Sequence, residues 1–450
     1  MTRRPLDGVR IVDSSYVIAM PYAFGIMADL GAEVIKIEGP AHIDNTRIGA
    51  GAGIFPDNQQ GTEWWNRGGH FTQLNRGKKS LTLDLSKEEG RDALKDLIRI
   101  SDVFVENFTP RVTRRWELDY PNVKKLKPDI VMVSNTGYGH GAGPYSPYPA
   151  MATSMEGTHG HVSITGYDND IPSKAGQSFV DFLACWSALL SVGIALHHRT
   201  RTGQGQWLDI GMYQVGASFV SEYIMDWLAN KRLGTPRGNR HPWRAPQGCY
   251  PCAGNDQWCA ISVGSDNEWS ALASVIGSPD LGNDSRFTTG PDRINNHDAL
   301  DEIISQWTKE IDKYEVMRLL QSKGVPAGAI FDAKDYNLSE HHWARGFLEK
   351  VQYPPESGIG DRVIMGRPWT LNKTPIVNNG PGPKLGEHNE IFLKHLLGYS
   401  NEAYASFEEA AIISERPLAS RTFTTPSLDD LVKQGRIPYY DPNYKTNLGI

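Results

Sequence analysis

Strand-like and helix-like segments alternate through the first 135 residues, and this alternation constrains the fold more than any other feature of the chain. Residues 9–12 form a short apolar run, Pro21 to Leu30 has the spacing of a helix, and residues 33–38 are again strand-like. Gly31 stands where helices commonly end. A strand, a helix and a second strand in so short a span predict a βαβ unit, and therefore a parallel sheet.

The same alternation then repeats. Residues 80–85 alternate with a period of two, and Ser86 with Glu89 has the spacing of a capping box that begins the next helix. Further strands are predicted at 103–105 and 130–133. A doubly wound α/β architecture is the fold class that this pattern favours.

The second half of the chain changes character after a long apolar helix. A helical pattern runs from Asp181 to His198, a strand follows at 207–210, and a helix continues to about residue 228. Residues 234–247 are rich in Pro, Gly, Arg and His, which is typical of a linker. Beyond them the composition shifts, which predicts a smaller domain at roughly 245–335.

Charge and cysteine content narrow the function classes. Lys and Arg number 46 against 52 Asp and Glu, so the net charge of −6 excludes a general affinity for nucleic acid or an anionic membrane. Four cysteines in 450 residues indicate a reducing compartment. The apolar stretch 182–196 is shorter than the roughly 20 residues of a membrane span. We therefore predict a cytoplasmic protein with neither a nucleic-acid nor a membrane partner.

Asp181 is the first candidate for chemistry. It precedes an apolar helix, where a carboxylate commonly caps the helix by accepting backbone N–H bonds. A carboxylate in that place is also kept ionised by the helix dipole and can attack a carbonyl carbon. Three histidines, His140, His159 and His161, lie in the stretch of sequence before Asp181. They are either ordinary surface residues, or one of them forms a His–Asp acid/base pair with Asp181. The residues alone leave these alternatives open.

Two cationic clusters are candidates for binding an anionic ligand. Arg111, Arg114 and Arg115 follow the predicted strand at 103–105, whereas Arg76, Lys78 and Lys79 precede the one at 80–85. Arginines at the end of a strand can clamp phosphates, although a solvated helix face has the same composition.

Two other motifs are assigned no chemistry. Residues 137–144 are rich in glycine but match neither standard phosphate-binding spacing, so we predict a flexible strand-end loop. Cys249 and Cys252, taken with Cys259 and His241, lack zinc-ribbon spacing. We interpret these thiols as buried and structural, and predict no metal site.

Several longer segments resemble one known family, the family III CoA-transferases of the CaiB/BaiF group. They lie in family order, and they read PLDGVRIVDSSYVIAMPYAFGIMADLGAEVIKIEGP, LNRGKKSLTLDLSKEEGRDAL, DVFVENFTPRVTRRWELDY, PDIVMVSNTGYGHGAGPY, ALHHRTRTGQGQWLDIGM, GNRHPWRAPQGCYPC and PKLGEHNEIFLKHLLGY. Together they extend from about residue 5 to 400. The tail after about residue 415 is assigned no role.

The resemblance implies a Rossmann-like large domain built from both chain ends, a small domain between them, and a homodimer of interlocked rings. The expected division is 1–230 for the first part of the large domain, 231–245 for a linker, 246–335 for the small domain, and 336–450 for a return linker with the rest of the large domain.

The resemblance also implies the chemistry. Family members move coenzyme A from an acyl-CoA thioester to a free carboxylic acid, and Asp181 occupies the place of their nucleophilic aspartate. The expected intermediates are an aspartyl anhydride and an aspartyl-CoA thioester, with coenzyme A as substrate and no permanently bound cofactor. Positions that correspond to coenzyme A contacts are Val17, Ile18, Ala19, Leu83, Asn107, Phe108 and Arg115.

Two positions depart from the family pattern, and two other functions stay open. Gly39 stands where relatives can carry arginine, and Ser86 where a lysine can occur. An α-methylacyl-CoA racemase of the same family needs a histidine opposite the aspartate, and that place falls within residues 148–151, which include none. A non-catalytic CoA-binding subunit of a hetero-oligomer is the other alternative.

Overall fold

The computed structural model describes residues 3–48, 55–141, 143–167, 171–176, 178–277, 280–374, 376–419 and 425–450. The chain divides into two compact units. The first comprises Met1–His161, Gly176–Ile224 and Asn337–Ile450, and the second comprises Val162–Ala175 and Met225–Tyr336. The domain boundaries expected from the resemblance, with a small domain at 246–335, stay a prediction.

A six-stranded parallel sheet organises the first unit, which confirms the predicted α/β class. Its strands are β1 (Arg10–Asp13), β2 (Glu33–Glu38), β3 (Lys79–Thr82), β4 (Val103–Glu106), β5 (Val131–Thr136) and β6 (Gln206–Gly211). Their spatial order is β3-β2-β1-β4-β5-β6. The order reverses between β1 and β4, and ligands of such sheets bind in the crevice beyond the carboxyl ends of the strands at this point.

Helices up to residue 230 connect these strands or follow the last of them. They are α1 (Ala19–Asp29), α2 (Asn45–Ile48), α3 (Gly69–Leu74), α4 (Glu88–Arg99), α5 (Pro110–Arg115), α6 (Tyr120–Leu126), α7 (Ala152–Thr158), α8 (His161–Ile164), α9 (Phe179–Thr202), α10 (Met212–Phe219) and α11 (Ser221–Asn230).

Apolar residues cover both faces of the sheet, as a parallel sheet requires. Neighbouring residues of a strand point to opposite faces, so Ile11 joins the core formed with α1 and α9, and Val12 joins the core formed with α4. The second core also contains Phe392, Phe407 and other residues from the last quarter of the chain. Both parts of the chain therefore contribute to the hydrophobic core of this unit.

The start of α4 differs from the sequence prediction. Lys87 is its N-cap and makes no side-chain cap bond, whereas the Ser86 hydroxyl donates to Asp84 Oδ1 over 2.7 Å. The predicted capping box is therefore wrong, because Asp84 two residues earlier is the nearer acceptor. The single helix predicted to end near residue 228 is in fact two helices, α10 and α11.

The helix α9 is longer than predicted. It has 24 residues and is apolar enough in length and composition to cross a membrane. Val180, Ala184 and Ala188 pack against α1 in the first core, which is the arrangement of a core helix. Asp181 lies inside the first turn and Ser178 is the N-cap residue, so the alternative in which Asp181 is itself the N-cap is wrong.

The second unit contains a three-stranded antiparallel sheet packed against helices. These elements are β7 (Gln247–Pro251), β8 (Trp258–Ser262), β9 (Ala327–Ala329), α12 (Asp266–Ile276), α13 (Gly290–Asn295), α14 (His297–Thr308), α15 (Lys313–Gln321) and α16 (Ala333–Leu338). Cys252 and Cys259 are buried free thiols in its core, and Cys249 is half-buried. Within the described ranges, no group of three His, Cys, Asp or Glu side chains is placed to hold a metal ion.

The chain ends with a hairpin and short helices. They are α17 (Glu340–Ala344), β10 (Leu348–Val351), β11 (Arg362–Met365), a π-helical turn (Ile391–Leu396), α18 (Asn401–Glu409), α19 (Leu428–Lys433) and α20 (Tyr444–Leu448). The tail contacts the first unit, where Tyr444 and Lys445 bond to Asp57.

Candidate active site

A pocket of about 190 Å³ lies beyond the carboxyl ends of β1, β4 and β5. Tyr16, Val17, Ala19, Asn107 and Asp181 are among its lining residues. Its place is the crevice that the reversal of strand order creates. The volume is below the roughly 300–1,000 Å³ of pockets that enclose a drug-sized ligand, so it suits one end of a larger molecule.

Asp181 is the ionisable carboxylate of this pocket. Only 8% of the residue is exposed, and burial raises the pKa of its carboxyl to about 6. The backbone N–H groups of Ala19 and of Asp181 itself oppose that rise in pKa, because they stabilise the anion at the starts of two helices. Its Oδ2 atom is buried without a hydrogen-bond partner among the described residues. Asp181 therefore holds a poorly solvated carboxylate oxygen in the wall of the pocket.

The loop between β1 and α1 forms the wall opposite Asp181. Val17 has a φ of 77°, a left-handed conformation that a β-branched residue adopts only under external constraint. The constraint is Asp44, whose Oδ2 accepts from the Val17 N–H over 3.2 Å. Ile18 and Ala19 follow at the start of α1, and no side chain caps this helix. The first N–H group of α1, that of Ala19, is instead directed to the Asp181 carboxylate.

Buried ion pairs support this loop from below. Lys36 on β2 binds Asp44 over 3.0 Å, and Lys78 binds Asp13 over 2.6 Å, with all four side chains fully buried. Lys36 also donates to the Ser15 carbonyl. Removing one member of such a pair leaves an uncompensated buried charge, so the pairs hold the loop in one arrangement.

One predicted anion site is thereby corrected. Arg76 is buried and bound to Asp29, Lys78 is bound to Asp13, and Lys79 pairs with Glu33. Each of these charges is paired with a carboxylate, for Arg76 and Lys78 inside the protein and for Lys79 nearer the surface, so this cluster does not form a phosphate clamp. Arg111, Arg114 and Arg115, in contrast, are exposed on α5 directly after the loop that follows β4.

Asn107 couples the two loops at the switch point. Its Oδ1 accepts from the Tyr16 N–H over 2.9 Å, and its Nδ2 donates to the Tyr16 carbonyl over 2.8 Å. The Asn107 amide thus makes two hydrogen bonds to the backbone of Tyr16, one to its N–H and one to its carbonyl, as a residue on a neighbouring β-strand would. Phe108 packs near the Tyr16 ring, with centroids 6.0 Å apart. Sequence reasoning marked both residues as ligand contacts, and the structure adds a supporting role.

The remaining predicted contacts lie around this centre. The Leu83 side chain is fully buried in the second core, so only its backbone is available to a ligand. Gly39 lies close to the Leu83 carbonyl and donates its N–H to the Tyr16 hydroxyl over 3.0 Å. Ser86 lies at the surface and bonds to Asp84. Arg115 does not line the pocket itself.

The glycine-rich segment is held in place by Asp209. The N–H groups of His140 and Gly141 donate to the two Asp209 carboxylate oxygens over 2.8 and 2.9 Å. Gly137 lines the pocket, where a Cβ would lie 2.3 Å from Ala150. Residue 142 lies outside the described residues. In place of the predicted flexibility, this stretch has a defined anchor.

Histidine does not line the part of the pocket that the structure describes. His140 Nε2 lies 3.2 Å from the Phe108 carbonyl oxygen and 3.4 Å from Glu106 Oε1. His159 and His161 stack on each other with centroids 6.0 Å apart. The racemase position, residues 148–151, lines the pocket near Asp181 and carries no imidazole. This arrangement does not favour the racemase alternative.

Several important residues were missed by the sequence analysis. Asp44 and Lys36 constrain the Val17 loop, and Glu156 bonds to the first turn of α9. One signal was present: Lys36 interrupts an apolar strand that a parallel sheet buries on both faces. A charge in that place has to find a partner, although the sequence does not say which.

Comparisons with known proteins agree with this geometry. Residues 6–389 match the family described as CoA-transferase family III. The chain is 32% identical to succinyl-CoA–D-citramalate CoA-transferase of Chloroflexus aurantiacus, over 91% of this chain and 98% of that protein. It is 31% identical to succinate–glutarate CoA-transferase of Agrobacterium fabrum, over 87% and 96%.

A solved structure shares the fold. The CaiB/BaiF family protein from Brucella suis superposes with a TM-score of 0.79 at 29% identity, covering 88% of this chain and all of that one. The match with the family extends over the sheet, the Val17 loop and the helix that carries Asp181. The chain therefore belongs to family III of the CoA-transferases.

Proposed function

We propose that this CoA-transferase uses Asp181 as a covalent nucleophile to move coenzyme A from an acyl-CoA thioester to a free carboxylic acid. The observation that carries the proposal is the Asp181 carboxylate itself. It is buried in the crevice at the switch point, its Oδ2 has no hydrogen-bond partner among the described residues, and its pKa of about 6 leaves it ionised at neutral pH.

The reaction proceeds by four exchanges at carbonyl carbons. An Asp181 oxygen attacks the thioester carbonyl, the C–S bond breaks, and coenzyme A leaves as the thiolate. The thiolate attacks the Asp181 carbonyl of the anhydride and releases the donor acid, which leaves an aspartyl-CoA thioester. The acceptor carboxylate attacks that thioester, the C–S bond breaks, and a second aspartyl anhydride forms as the thiolate leaves. The thiolate then attacks the acceptor carbonyl of this anhydride, which gives the product thioester and releases Asp181 as a carboxylate. No net proton transfer is needed.

A carboxylate suits this sequence because its basicity is close to that of the donor and acceptor acids, near a pKa of about 4 in water. Neither the anhydride nor the thioester is then a deep energetic trap. The enclosed walls of the pocket limit the access of water, which would hydrolyse the anhydride. The N–H groups at the start of α1, of Ala19 above all, are placed to stabilise negative charge beside Asp181.

Coenzyme A is proposed to enter along the loops that carry Val17, Ile18, Ala19, Asn107 and Phe108. The pocket volume matches the thioester end, so the nucleotide extends outward over the protein surface. Arg115 on the exposed face of α5 is proposed to bind the coenzyme A phosphates, and the Leu83 backbone to make a further contact.

Replacing Arg115 tests that contact. We expect Arg115→Ala to raise the KM for acyl-CoA about tenfold, the effect of one lost hydrogen bond to a charged group, with little change in kcat. Because the contact is exposed, the difference from wild type should shrink as salt concentration rises. Arg99→Ala, at the far end of α4, is the matched control and should leave KM unchanged. An unaltered KM in Arg115→Ala would remove Arg115 from the site.

The donor and the acceptor are proposed only as carboxylic acids, and neither compound is named. The similar proteins are named for succinyl-CoA with D-citramalate and for succinate with glutarate. A panel of carboxylic acids offered with succinyl-CoA or acetyl-CoA, read by mass spectrometry of the product thioesters, identifies the pair. Tyr250 is buried and donates its hydroxyl to Asp301, so it packs in the core of the second unit and does not bind the acceptor.

We also propose that the protein is a cytoplasmic homodimer, in which two interlocked subunits enclose each other. Exposed apolar side chains support this: Leu190 and Ile194 on α9 are 67% and 59% exposed, and Phe219 on α10 is 53% exposed. Large apolar surfaces of this kind mark protein–protein contacts. Light scattering of the purified chain measures the number of subunits.

Trapping the covalent intermediate tests the mechanism. Borohydride added during turnover should reduce the aspartyl-CoA thioester and convert side chain 181 to an alcohol. The modification should map to the tryptic peptide 175–199, and it should require acyl-CoA. Asp181→Asn should remain unmodified under the same conditions. Modification of a different peptide would overturn the assignment of Asp181.

A further inference from the structure

Glu156 on α7 holds the first turn of the helix that carries Asp181. Its Oε1 accepts from the Phe179 N–H over 2.9 Å, two residues before Asp181. The N-cap residue Ser178 has a φ of 55° and makes no side-chain cap bond, so the helix is capped from outside by Glu156. Glu156 is completely buried. A buried carboxylate is an expensive cap, because Ser, Asn or Gln side chains accept the same bond without a charge.

The second oxygen of Glu156 has no such structural task. Oε2 is buried without a hydrogen-bond partner among the described residues. Burial is the main reason that the carboxyl pKa of Asp181 is raised, and electrostatic repulsion from Glu156 adds a smaller contribution in the same direction. The cap bond alone therefore does not account for a carboxylate in this position.

We infer that Glu156 is a positioning residue for the nucleophile, which fixes the first turn of α9 through Oε1 and confronts Asp181 with a second negative charge. The inference rests on the proposed function of Asp181. It assigns Glu156 no contact with substrate.

The surrounding groups leave this charge uncompensated. His159 on the same helix has its pKa lowered by burial, so it is neutral at pH 7, and neither ring nitrogen has a hydrogen-bond partner among the described residues. Cys185, one turn beyond Asp181, has its thiol pKa raised to about 12 by burial and is also neutral. Arg76 and Lys78, whose charges act on Cys185, are bound to Asp29 and Asp13.

The charge has a direct consequence for the first chemical step. When Asp181 attacks the thioester, a C–O bond forms, the C–S bond breaks, and the negative charge passes from the carboxylate to sulfur. A fixed negative charge beside Asp181 disfavours the carboxylate more than the neutral anhydride. Glu156 thus raises the reactivity of the nucleophile without taking part in bond formation.

The variant Glu156→Gln removes the negative charge of this side chain but keeps the helix cap, because the amide oxygen can still accept from the Phe179 N–H. We expect kcat to fall about three- to tenfold, while the KM for acyl-CoA stays near the wild-type value. The acid limb of the kcat profile should move to lower pH, because the pKa of Asp181 falls when the repulsion from residue 156 is removed. The melting temperature should change little. A residue with a merely structural role would not move the acid limb.

Two controls make the outcome interpretable. Glu156→Asp keeps the charge but shortens the reach, so we expect a lower melting temperature with the acid limb near its wild-type position; this variant decides the question if Glu156→Gln does not fold. Glu88→Gln, on α4, controls for the loss of one negative charge. The inference would be overturned if Glu156→Gln left both kcat and the acid limb of the pH profile unchanged. It would also be overturned if Glu156→Asp displaced the acid limb.

The proposed function can fail separately. An active Asp181→Asn variant would refute the nucleophile and the inference with it. An inactive Asp181→Asn beside a wild-type-like Glu156→Gln would refute only the role of Glu156.

Discussion

Asp181→Asn is expected to lower transferase turnover by at least about a thousandfold, because an amide cannot form the anhydride on which every later exchange depends. The amide has nearly the same shape, and its oxygen can still face the Ala19 N–H. Acyl-CoA should therefore still bind with a Kd close to that of the wild type. Residual turnover within tenfold of wild type would contradict the covalent mechanism.

The same substitution should stabilise the protein at neutral pH. Burial raises the pKa of Asp181 from 3.8 to about 6, so the folded state binds this proton more tightly than the unfolded state does. Its contribution to stability is complete below pH 4 and is lost as the pH rises through 6. At pH 7 the ionised carboxylate then costs on the order of 3 kcal/mol, which Asn avoids.

Thermal unfolding at two pH values measures this effect. Asp181→Asn should melt at a higher temperature than wild type at pH 7.5, and the difference should be smaller at pH 5. Asp361→Asn, at an exposed position, is the control and should show neither change. Equal melting temperatures at pH 7.5 would mean that the site does not hold Asp181 as a strained anion.

The second large effect concerns the ion pair beneath the Val17 loop. Lys36→Met should lower the free energy of unfolding by about 3–5 kcal/mol, because it leaves Asp44 charged and unpaired in a fully buried place. The KM for acyl-CoA should rise as well, since Asp44 also holds the Val17 N–H. Chemical denaturation and steady-state kinetics measure the two effects.

A double variant isolates the charge. Adding Asp44→Asn to Lys36→Met removes the unpaired charge and keeps an oxygen for the Val17 N–H, so at least half of the lost stability should return. Lys394→Met breaks an exposed pair with Glu390 and should cost less than about 0.5 kcal/mol. If Lys36→Met is as stable as wild type, the buried pair is not what constrains the loop.

The elements of the sheet were predictable because their signals are local. Residues 33–38 are rich in β-branched Val and Ile, and β2 has these bounds. The strand predicted at 80–85 ends at Thr82, since the chain then turns toward Asp84, where Ser86 finds its acceptor. A helix was correctly expected around Pro21, but it begins two residues earlier, at Ala19.

The partners of buried charges were not predictable, because they are distant in sequence. In the sequence, Lys78 has the pattern of a surface cation. In the fold it binds Asp13, which lies 65 residues earlier in the chain. Glu156 caps a helix that begins 23 residues later. The place of Asp181 came from the family resemblance, whereas its neighbours follow only from the three-dimensional arrangement.

The core around α4 has a consequence for biosynthesis. Phe392, Phe407 and Ile412 complete a layer to which residues such as Val12 and Leu94, from the first hundred residues, also belong. During translation the amino-terminal strands must wait for nearly the whole polypeptide before that layer can close, and contacts of such long sequence separation slow folding. The nascent chain therefore exposes an incomplete apolar surface on the ribosome, where binding by chaperones would protect it from aggregation.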